Sequence, residues 1–387
     1  MIWDRRRTAV AASGIVSFLN LYAAQPLAPT FAQEFGTDAA HASLTMTATL
    51  LAVTCVAPFV GGLSDRFGRR HLIVSASLLL AIPGLLAAVA PTFLLVVAAR
   101  FVQGLMLPFI FAITLAYVAE ELEPAEAARV TSVYAVCSIV GGFLGRFVSG
   151  WVTELLGWRP AFLVLAVLTL VAAAVIYRTL PPERNFRPIS GWRGSLEGFA
   201  DQFANPQVMA TCAVGFSVLF SVVGAFTFAT LHLAGPTYGL GPAALGSVFV
   251  VYLAGMVATP VATRVALRIG RRWTHMGAAM LAVAGMLLSM APGLAFIIAG
   301  LSMAVAGFFA QQVLSLSHIG ATARRARSTA VGLYVTSYYA GGALGSVVPA
   351  GLWRAFGWPG PVALIIAVQG LAVLVTARVW SRVALIR

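Results

Sequence analysis

The sequence is poor in charge and contains no lysine. Only 10% of its 387 residues are charged and 60% are hydrophobic; all 25 basic residues are arginines, against 12 acidic residues. A soluble domain carries about 25% charged residues, so this composition excludes an ordinary soluble protein and predicts one embedded in a membrane. The arginines are spread in small clusters between apolar runs, which argues against nucleic acid as a partner.

Cysteine is also scarce, and patterns of catalytic residues are missing. Cys55, Cys137 and Cys212 fall inside apolar runs, at spacings that suit neither a disulfide framework nor a metal site. The sequence has no His-x-x-Glu-His, no Gly-x-Ser-x-Gly and no phosphate-binding loop of the ATP-hydrolysing kind. We therefore expect no catalytic residues, no metal and no cofactor, and an intramembrane enzyme is disfavoured.

What the sequence does contain is a series of apolar runs that are long enough to cross a bilayer, which takes about 17–25 residues. The twelve predicted spans are 8–31, 42–60, 71–89, 93–115, 130–152, 160–178, 208–231, 243–263, 274–290, 294–317, 329–352 and 361–379. If the N-terminus is placed in the cytoplasm, nearly all arginines outside the spans fall in cytoplasmic segments, as the positive-inside rule requires. The sequence thus predicts that both termini face the cytoplasm.

The chain falls into two similar halves. A shift of 200 residues places Tyr134, Gly141, Gly142, Leu144, Gly145, Gly157 and Trp158 on Tyr334, Gly341, Gly342, Leu344, Gly345, Gly357 and Trp358. The longest polar connection, residues 179–207, is rich in proline and glycine and separates residues 1–178 from residues 208–387. We predict a six-helix bundle over each of these ranges, joined by a cytoplasmic linker with a short amphipathic helix at 195–203.

The most distinctive stretch is Gly61-Gly62-Leu63-Ser64-Asp65-Arg66-Phe67-Gly68-Arg69-Arg70, between the second and third apolar runs. Its charged side chains stand where the apolar runs stop, so we predict a tight turn at the cytoplasmic membrane surface. The pattern G-x-L-S-D-R-x-G-R-R resembles the signature loop of the major facilitator superfamily. This resemblance implies an all-α membrane protein, with twelve transmembrane helices in two pseudo-symmetric six-helix bundles around a central substrate pocket.

The resemblance also implies a cytoplasmic gate. In the family, the loop aspartate lies near the N-terminus of helix 11, which begins here near Ser328-Thr329, and the loop arginine pairs with acidic groups at the inner end of helix 4. Each contact is expected to contribute about 1 kcal/mol or less, so several must act together. The alternative for the acidic residues is a solvated turn. The predicted gate residues are Gly61, Asp65, Arg66, Gly68, Arg69, Arg70, Glu120 or Glu121 as partners of Arg69, and Arg129 as a further partner of Asp65.

Two arginines fall well inside predicted spans, away from the span ends, where a charge is costly and marks a functional candidate. Arg100 and Gln103 belong to an R-x-x-Q-G element that resembles helix 4 of proton-driven exporters. Arg146 lies in Gly-Gly-Phe-Leu-Gly-Arg-Phe-Val-Ser-Gly, which resembles the exporters' helix 5 antiporter motif but has Arg146 at the proline position and Ser149 at a glycine position. Counting residues places Arg100, Arg146 and Gln25 in one layer, which either lines the translocation cavity or locks helices together through helix-end carbonyls.

The C-terminal half is rich in aromatic and amide side chains. Phe216 and Phe220 are spaced i, i+4, and Tyr334 and Tyr338 repeat that spacing. An aromatic wall with a few amides suits large, weakly polar ligands, including aromatic cations. The predicted substrate or coupling residues of both halves are Tyr22, Gln25, Arg100, Gln103, Arg146, Phe220, Gln311, Gln312, Tyr334 and Tyr338.

Among the branches of the family, the chain is most similar to twelve-span bacterial drug exporters of the acriflavine-sensitivity type, which share the Leu-Tyr-x-x-Gln-Pro run at residues 21–26. This implies a monomeric inner-membrane antiporter that exports small amphipathic molecules in exchange for protons. No Asp or Glu falls in the middle of a span, so the remaining candidates for the proton carrier are Glu34, Asp65 and His232. The alternative is an organic-anion exchanger or importer that uses the two buried arginines; a channel is a further class.

Overall fold

The structure, a computed structural model, describes residues 4–184, 201–322 and 327–380. In these ranges the regular secondary structure is entirely helical, which confirms the predicted fold class. Its long helical segments are α1 (Arg5–Glu34), α2 (Leu44–Phe67), α3 (Arg69–Ala88), α4 (Phe93–Glu121), α5 (Pro124–Leu156), α6 (Trp158–Thr179), α7 (Pro206–Ala234), α8 (Pro242–Ile269), α9 (Arg271–Leu288), α10 (Leu294–Thr322), α11 (Arg327–Val347) and α12 (Pro359–Val379). Ten of them, all but α9 and α11, are long and apolar enough to cross a membrane.

The charged motif between α2 and α3 is mostly helical. The predicted turn over residues 61–70 is wrong in extent, because α2 continues to Phe67 and α3 begins at Arg69. Polar side chains on the last turns of a helix can reach water while the backbone stays hydrogen-bonded. Only Gly68, with a φ of 87°, breaks the helix, and Gly270 between α8 and α9 repeats this conformation with a φ of 88°.

The eleventh predicted span, residues 329–352, is interrupted in the structure. Helix α11 ends at Val347, and a separate short helix, Ala350–Phe356, follows it. The break falls next to Pro349, whose ring removes a backbone N–H donor and therefore disrupts a continuing helix.

The chain divides into two compact units. Unit 1 comprises Met1–Ser190 together with Leu240–Phe249, and unit 2 comprises Gly191–Gly239 together with Val250–Arg387. The division therefore falls inside α8, whose first part belongs to unit 1 and whose remainder belongs to unit 2.

Two organisational predictions stay predictions. The boundaries proposed from the sequence, 1–178 and 208–387, depend on a linker over 179–207 that the structure describes only in part. The predicted amphipathic helix at 195–203 lies outside the described residues except for its last three, which are helical.

The two units repeat the same helix pairings. In unit 1, α1 packs on α5 and α6, and α2 packs on α4; in unit 2, α7 packs on α11 and α12, and α8 packs on α10. The α5 and α11 contacts depend on glycines, because a Cβ at Gly145 would overlap the carbonyl of Leu19, and a Cβ at Gly345 would overlap the carbonyl of Phe220. These close approaches bring the backbones of paired helices together, as small residues do in membrane helix bundles.

Candidate functional site

At the junction of α2 and α3, one arginine gathers two carboxylates. Arg69 Nη2 lies 2.6 Å from Asp65 Oδ1 and 2.6 Å from Glu120 Oε1, and Arg69 Nε donates to Glu120 Oε2 at 3.0 Å. Arg69 Nη1 also donates to Ser64 Oγ. The guanidinium is buried, whereas the Asp65 and Glu120 side chains are 30% and 37% exposed, so these charge-assisted bonds remain within reach of water. Of the two acidic partners predicted for Arg69, the structure selects Glu120.

The other predicted gate residues have different contacts. Glu121 accepts a hydrogen bond from the backbone amide of Arg184 at 2.9 Å. In the part of the chain that the structure describes, Asp65 forms its ion pair with the arginine four residues later and not with Arg129, so the Asp65–Arg129 pairing is not observed. Arg66 is exposed and stacks on the ring of Phe67, with 5.4 Å between the guanidinium carbon and the ring centre.

Arg70 fixes the end of α6 to the start of α3. Its Nε donates to the carbonyl of Leu180 at 2.8 Å, and its Nη2 donates to the carbonyl of Tyr177 at 3.2 Å. Its backbone amide donates to Glu183 Oε2 at 3.3 Å, and the other oxygen of this carboxylate lies 2.5 Å from the position that a Cβ on Gly68 would take. A side chain at position 68 would therefore displace Glu183, a contact that the sequence motif did not reveal.

Arg100 is fully buried in unit 1 and is bound by neutral oxygen atoms. Its Nη1 donates to the Asn20 carbonyl at 2.8 Å and to Gln103 Oε1, and its Nη2 donates to the Leu21 carbonyl at 2.8 Å. Gln103 Nε2 donates to Asn20 Oδ1 at 2.7 Å, and Asn20 Nδ2 donates to Thr169 Oγ1 at 2.9 Å. The network joins α1, α4 and α6. The first α-helical part of α1 ends at Tyr22, one residue after Leu21. Arg100 therefore bonds carbonyls at a helix end, as in the alternative in which the buried arginines lock helices together.

Arg146 is also buried in unit 1, between an amide and two aromatic rings. Its Nε and Nη2 donate to Gln25 Oε1 at 2.9 and 2.8 Å, and its Nη1 donates to the carbonyl of Gly142 at 2.7 Å. Its guanidinium carbon lies 4.1 Å from the ring centre of Tyr22 and 4.5 Å from that of Phe249. Such geometry is typical of a cation–π interaction, which is strongest where water is excluded. The predicted proximity of Gln25 and Arg146 is thus a direct contact, whereas Arg100 bonds to the preceding turn of α1.

The first turns of α8 pack against the end of α5 inside unit 1. A Cβ at Gly150 would lie 3.1 Å from the Cα of Gly246, so the two backbones approach closely at this point. One turn further along α5, Glu154 Oε2 accepts a hydrogen bond from the backbone amide of Ala243 at 3.3 Å, at the beginning of α8. A carboxylate at a helix N-terminus is favourable because it meets unsatisfied N–H groups. The sequence reasoning did not predict this surface.

In unit 2, α7 and α11 carry stacked aromatic pairs near the middle of each helix. The rings of Phe216 and Phe220 lie 6.1 Å apart at an interplanar angle of 20°, and those of Tyr334 and Tyr338 lie 6.0 Å apart at 24°. The Tyr334 ring packs directly on Gly215, where any larger residue would overlap it. The predicted aromatic residues are therefore arranged as two parallel-ring pairs on neighbouring helices.

Gln311 on α10 is fully buried and has unused hydrogen-bonding capacity. Neither its side-chain oxygen nor its side-chain nitrogen has a hydrogen-bond partner among the described residues. Gln311, Ser315 and Ile319 share one face of α10 at four-residue spacing, and Ile319 packs against Cys212 and Tyr334. A buried amide without partners costs about 1–3 kcal/mol, so this face of α10 favours a guest that can both donate and accept. The neighbouring Gln312 is half-buried.

The candidate proton carriers are all at least partly exposed. Glu34 Oε1 pairs with Arg159 Nη1 at 2.9 Å, and Asp65 belongs to the cluster at the start of α3. The His232 ring lies parallel to the Trp358 ring, with 5.8 Å between the ring centres. Within the described ranges there is no group of three or more side chains that could hold a metal ion.

Sequence reasoning missed several residues that complete these contacts. Asn20 connects the Arg100 network to α6, and Phe249 closes the second face of Arg146. Asn20 could have been noticed, because an amide inside an apolar run needs a partner when it is buried. Phe249 carries no such signal, since its role depends on a contact between residues about one hundred positions apart.

Comparison with known proteins gives the same classification. The chain matches the Major Facilitator Superfamily over residues 10–346. It is 30% identical to the uncharacterized MFS-type transporter YybF of Bacillus subtilis, over 92% of this chain and 89% of that protein. It is also 30% identical to the inner membrane transport protein YnfM of Escherichia coli, over 97% of this chain and 90% of that one.

A solved structure supports the fold. The structure of a bacterial homologue of the human lysosomal transporter Spinster, in an inward-facing and unoccupied conformation, matches with a TM-score of 0.72 over 96% of this chain and 93% of that one, at 14% identity. Such low identity shows the fold alone. The family match and the full-length relatives show the rest: the chain is a multi-pass membrane transporter that belongs to the major facilitator superfamily.

Proposed function

We propose that this transporter exports small amphipathic molecules in exchange for protons, by alternating access, as a monomer with twelve transmembrane helices. We place it in the bacterial inner membrane with both termini in the cytoplasm, in keeping with the arginine distribution. The observation that carries the proposal is the difference between Gln311 and the two buried arginines. The amide of Gln311 has no partner among the described residues, whereas the terminal nitrogens of both arginines are bonded.

This difference favours unit 2 as the place where substrate binds. An amide whose side-chain oxygen and nitrogen have no partner among the described residues can accept a weakly polar or cationic aromatic molecule without breaking existing bonds. An anion that bound to Arg146 would have to displace Gln25, and one that bound to the terminal nitrogens of Arg100 would have to displace two backbone carbonyls. Leaving those groups unpaired costs about 1–3 kcal/mol each.

The cluster around Arg69 supports a gate that opens and closes. Its two carboxylates are partly exposed, so each ion pair contributes about 1 kcal/mol or less and can be exchanged for water. All of these contacts lie inside unit 1, so the gate that we propose also needs contacts to the other half, each weak enough to break during alternating access.

Proteoliposomes with an imposed pH gradient test the proposal. We expect an aromatic cation such as ethidium to move against its own gradient when protons move the opposite way, and to stop when a protonophore is added. Gln311→Leu should raise the KM about tenfold through lost hydrogen bonds. Gln369→Leu is the matched control, because this buried glutamine already donates to Ser221 Oγ at 2.8 Å, so its loss should lower stability and leave the KM unchanged. Ethidium movement that ignores the pH gradient would overturn proton coupling.

A second function, exchange or import of organic anions, is favoured by one feature of Arg100. Its Nε has no hydrogen-bond partner, and no carboxylate among the described residues bonds to its guanidinium. If this function is correct, benzoate uptake should follow a counter-anion gradient, should not follow the pH gradient, and should be lost in both Arg100→Gln and Arg146→Gln. If vesicles exchange ethidium for protons but do not exchange benzoate for another anion, this alternative is removed.

A further inference from the structure

Unit 2 contains an apolar groove that is lined by Phe216 of the aromatic wall but by none of the ten predicted substrate or coupling residues. The groove has a volume of about 440 Å³ and runs over α7 between α11 and α12. Its wall on α7 extends from Met209 to Ser217, about 12 Å along the helix axis at 1.5 Å per residue. Leu371 of α12, which lines the groove, is 61% exposed, so the groove is open along one side.

The two serines in the wall already use their hydroxyl protons in bonds to the backbone. The Ser217 hydroxyl donates to the carbonyl of Ala213 at 2.9 Å, and the Ser337 hydroxyl donates to the carbonyl of Cys212 at 3.0 Å. The other lining side chains are apolar. The wall therefore suits a flexible apolar chain better than a molecule oriented by several hydrogen bonds.

One end of the groove carries a positive charge. Leu371, Val375 and Arg378 follow one another along the same face of α12 at four- and three-residue spacing. Arg378 is exposed and forms no ion pair with any residue in the described part of the chain. An amphiphile whose apolar chain lies in the groove would thus place an anionic group beside Arg378.

Unit 1 provides an internal comparison. Arg178, 200 positions earlier, is likewise exposed near the end of α6. However, α5 packs on α6 in unit 1, whereas in unit 2 the counterpart of α5 is divided, and the short helix Ala350–Phe356 packs on α12 in place of α11. The groove is therefore a feature of unit 2 and does not follow from the repeat itself.

We propose that this groove binds an acyl chain of an anionic phospholipid, with the lipid phosphate beside Arg378. Three features together favour a lipid: an open side, an apolar wall, and an arginine at the arginine-rich end of a membrane-spanning bundle that has no ion-pair partner among the described residues. Basic side chains at the ends of transmembrane helices attract anionic headgroups, and each changes binding about fivefold.

Lipid titration of the delipidated full chain in detergent tests the headgroup contact. We expect phosphatidylglycerol to bind about fivefold more tightly than phosphatidylcholine with the same acyl chains, read as the rise in melting temperature with lipid concentration. Arg378→Gln should remove this preference, and the counterpart Arg178→Gln should leave it unchanged. If Arg378→Gln and Arg178→Gln change the preference equally, the binding is a general surface effect and the proposal fails.

A groove-filling variant tests the chain contact. Ala213 lines the groove and is exposed, so Ala213→Phe should abolish retention of lipid with either headgroup, measured by native mass spectrometry. Leu374→Phe is the matched control, because Leu374 is exposed on α12 outside the groove and its variant should retain lipid like the wild type. If Ala213→Phe retains lipid like the wild type, the proposal is overturned. If this variant retains lipid but no longer transports ethidium, the groove is assigned to the transported substrate instead.

Discussion

In unit 1, α5 packs on α1 through Gly141 and Gly145, and in unit 2, α11 packs on α7 through Gly341 and Gly345 at the same points of the repeat. In all four cases a Cβ would overlap a backbone carbonyl of the partner helix. One residue beyond the second glycine the units diverge: unit 1 has Arg146 bonded to Gln25 and enclosed by aromatic rings, whereas unit 2 has Ser346, which donates to its own helix at 2.7 Å. The repeat therefore fixes where backbones meet and leaves the polar interior free to differ.

The same contrast holds at the arginine-rich end of each unit. Gly68 and Gly270 break their helices with nearly identical backbone angles. The second arginine after each glycine donates to backbone carbonyls at the end of another helix. Arg70 bonds those of Tyr177 and Leu180 at the end of α6, and Arg272 bonds that of Ala377 at the end of α12. The first arginine differs. Arg69 pairs with two carboxylates, whereas Arg271 donates to Ser317 Oγ at 3.0 Å. At this end of each unit, the arginine with shared contacts therefore serves the scaffold, and the arginine whose contacts differ is the candidate for function.

The largest expected effect breaks the charged interior of unit 1. Arg100→Leu should lower the free energy of unfolding by at least about 3 kcal/mol, because two carbonyls and the Gln103 amide lose their donor at about 1–3 kcal/mol each. Gln369→Leu in unit 2 removes a single bond and should cost about 1–2 kcal/mol. Unfolding in mixed micelles measures both, and equal losses would contradict the difference between the two interiors.

A smaller effect tests the shared scaffold. Gly145→Ala and Gly345→Ala should each destabilise the protein by about 1–3 kcal/mol, since the added methyl overlaps a backbone carbonyl that cannot move aside. Gly370→Ala on α12 is the control, because nothing lies within 4 Å of its Cβ position and alanine should stabilise the helix by up to about 1 kcal/mol. If only one of the two interface variants were destabilised, the packing would not be equivalent in the two units.

The smallest effect compares the two helix junctions. Arg69→Gln should cost about 1–2 kcal/mol, because it releases two partly exposed carboxylates, and this cost should shrink at high salt. Arg271→Gln loses one neutral contact and should change stability by about 0.5 kcal/mol with no salt dependence. Thermal unfolding at low and high ionic strength distinguishes the two, and a salt-independent loss in Arg69→Gln would argue against an ionic gate.

Much of the scaffold could be predicted from the sequence, because apolar run length and arginine placement are local signals. The positions of α4, α6 and α10 follow from the runs at 93–115, 160–178 and 294–317, although the helices continue past the apolar residues. The extent of the motif turn was predicted wrongly, and the break next to Pro349 was not predicted. Both depend on where helices end, which is set by backbone hydrogen bonds that hydropathy does not report.

The site was predictable only where a motif specifies the partner. The resemblance of the signature loop was enough to pair Arg69 with the acidic end of α4. Counting residues placed Gln25 and Arg146 at one depth but could not show that they bond directly. It also could not show that Glu183 would lie against Gly68 or that Phe249 would join unit 1, because these contacts depend on how distant helices pack. Side-chain contacts between residues that are far apart in the sequence can be identified only from the structure.

The most direct test of the account is the effect of an aromatic cation on melting temperature, compared between Gln311→Leu and Arg146→Gln. If substrate binds through the buried amide of Gln311, which has no partner among the described residues, while the arginines of unit 1 hold the scaffold, ethidium should raise the melting temperature of the wild type. It should do so equally in Arg146→Gln, whose starting melting temperature is lower, and the rise should disappear in Gln311→Leu. A rise that persists in Gln311→Leu and vanishes in Arg146→Gln would contradict the account.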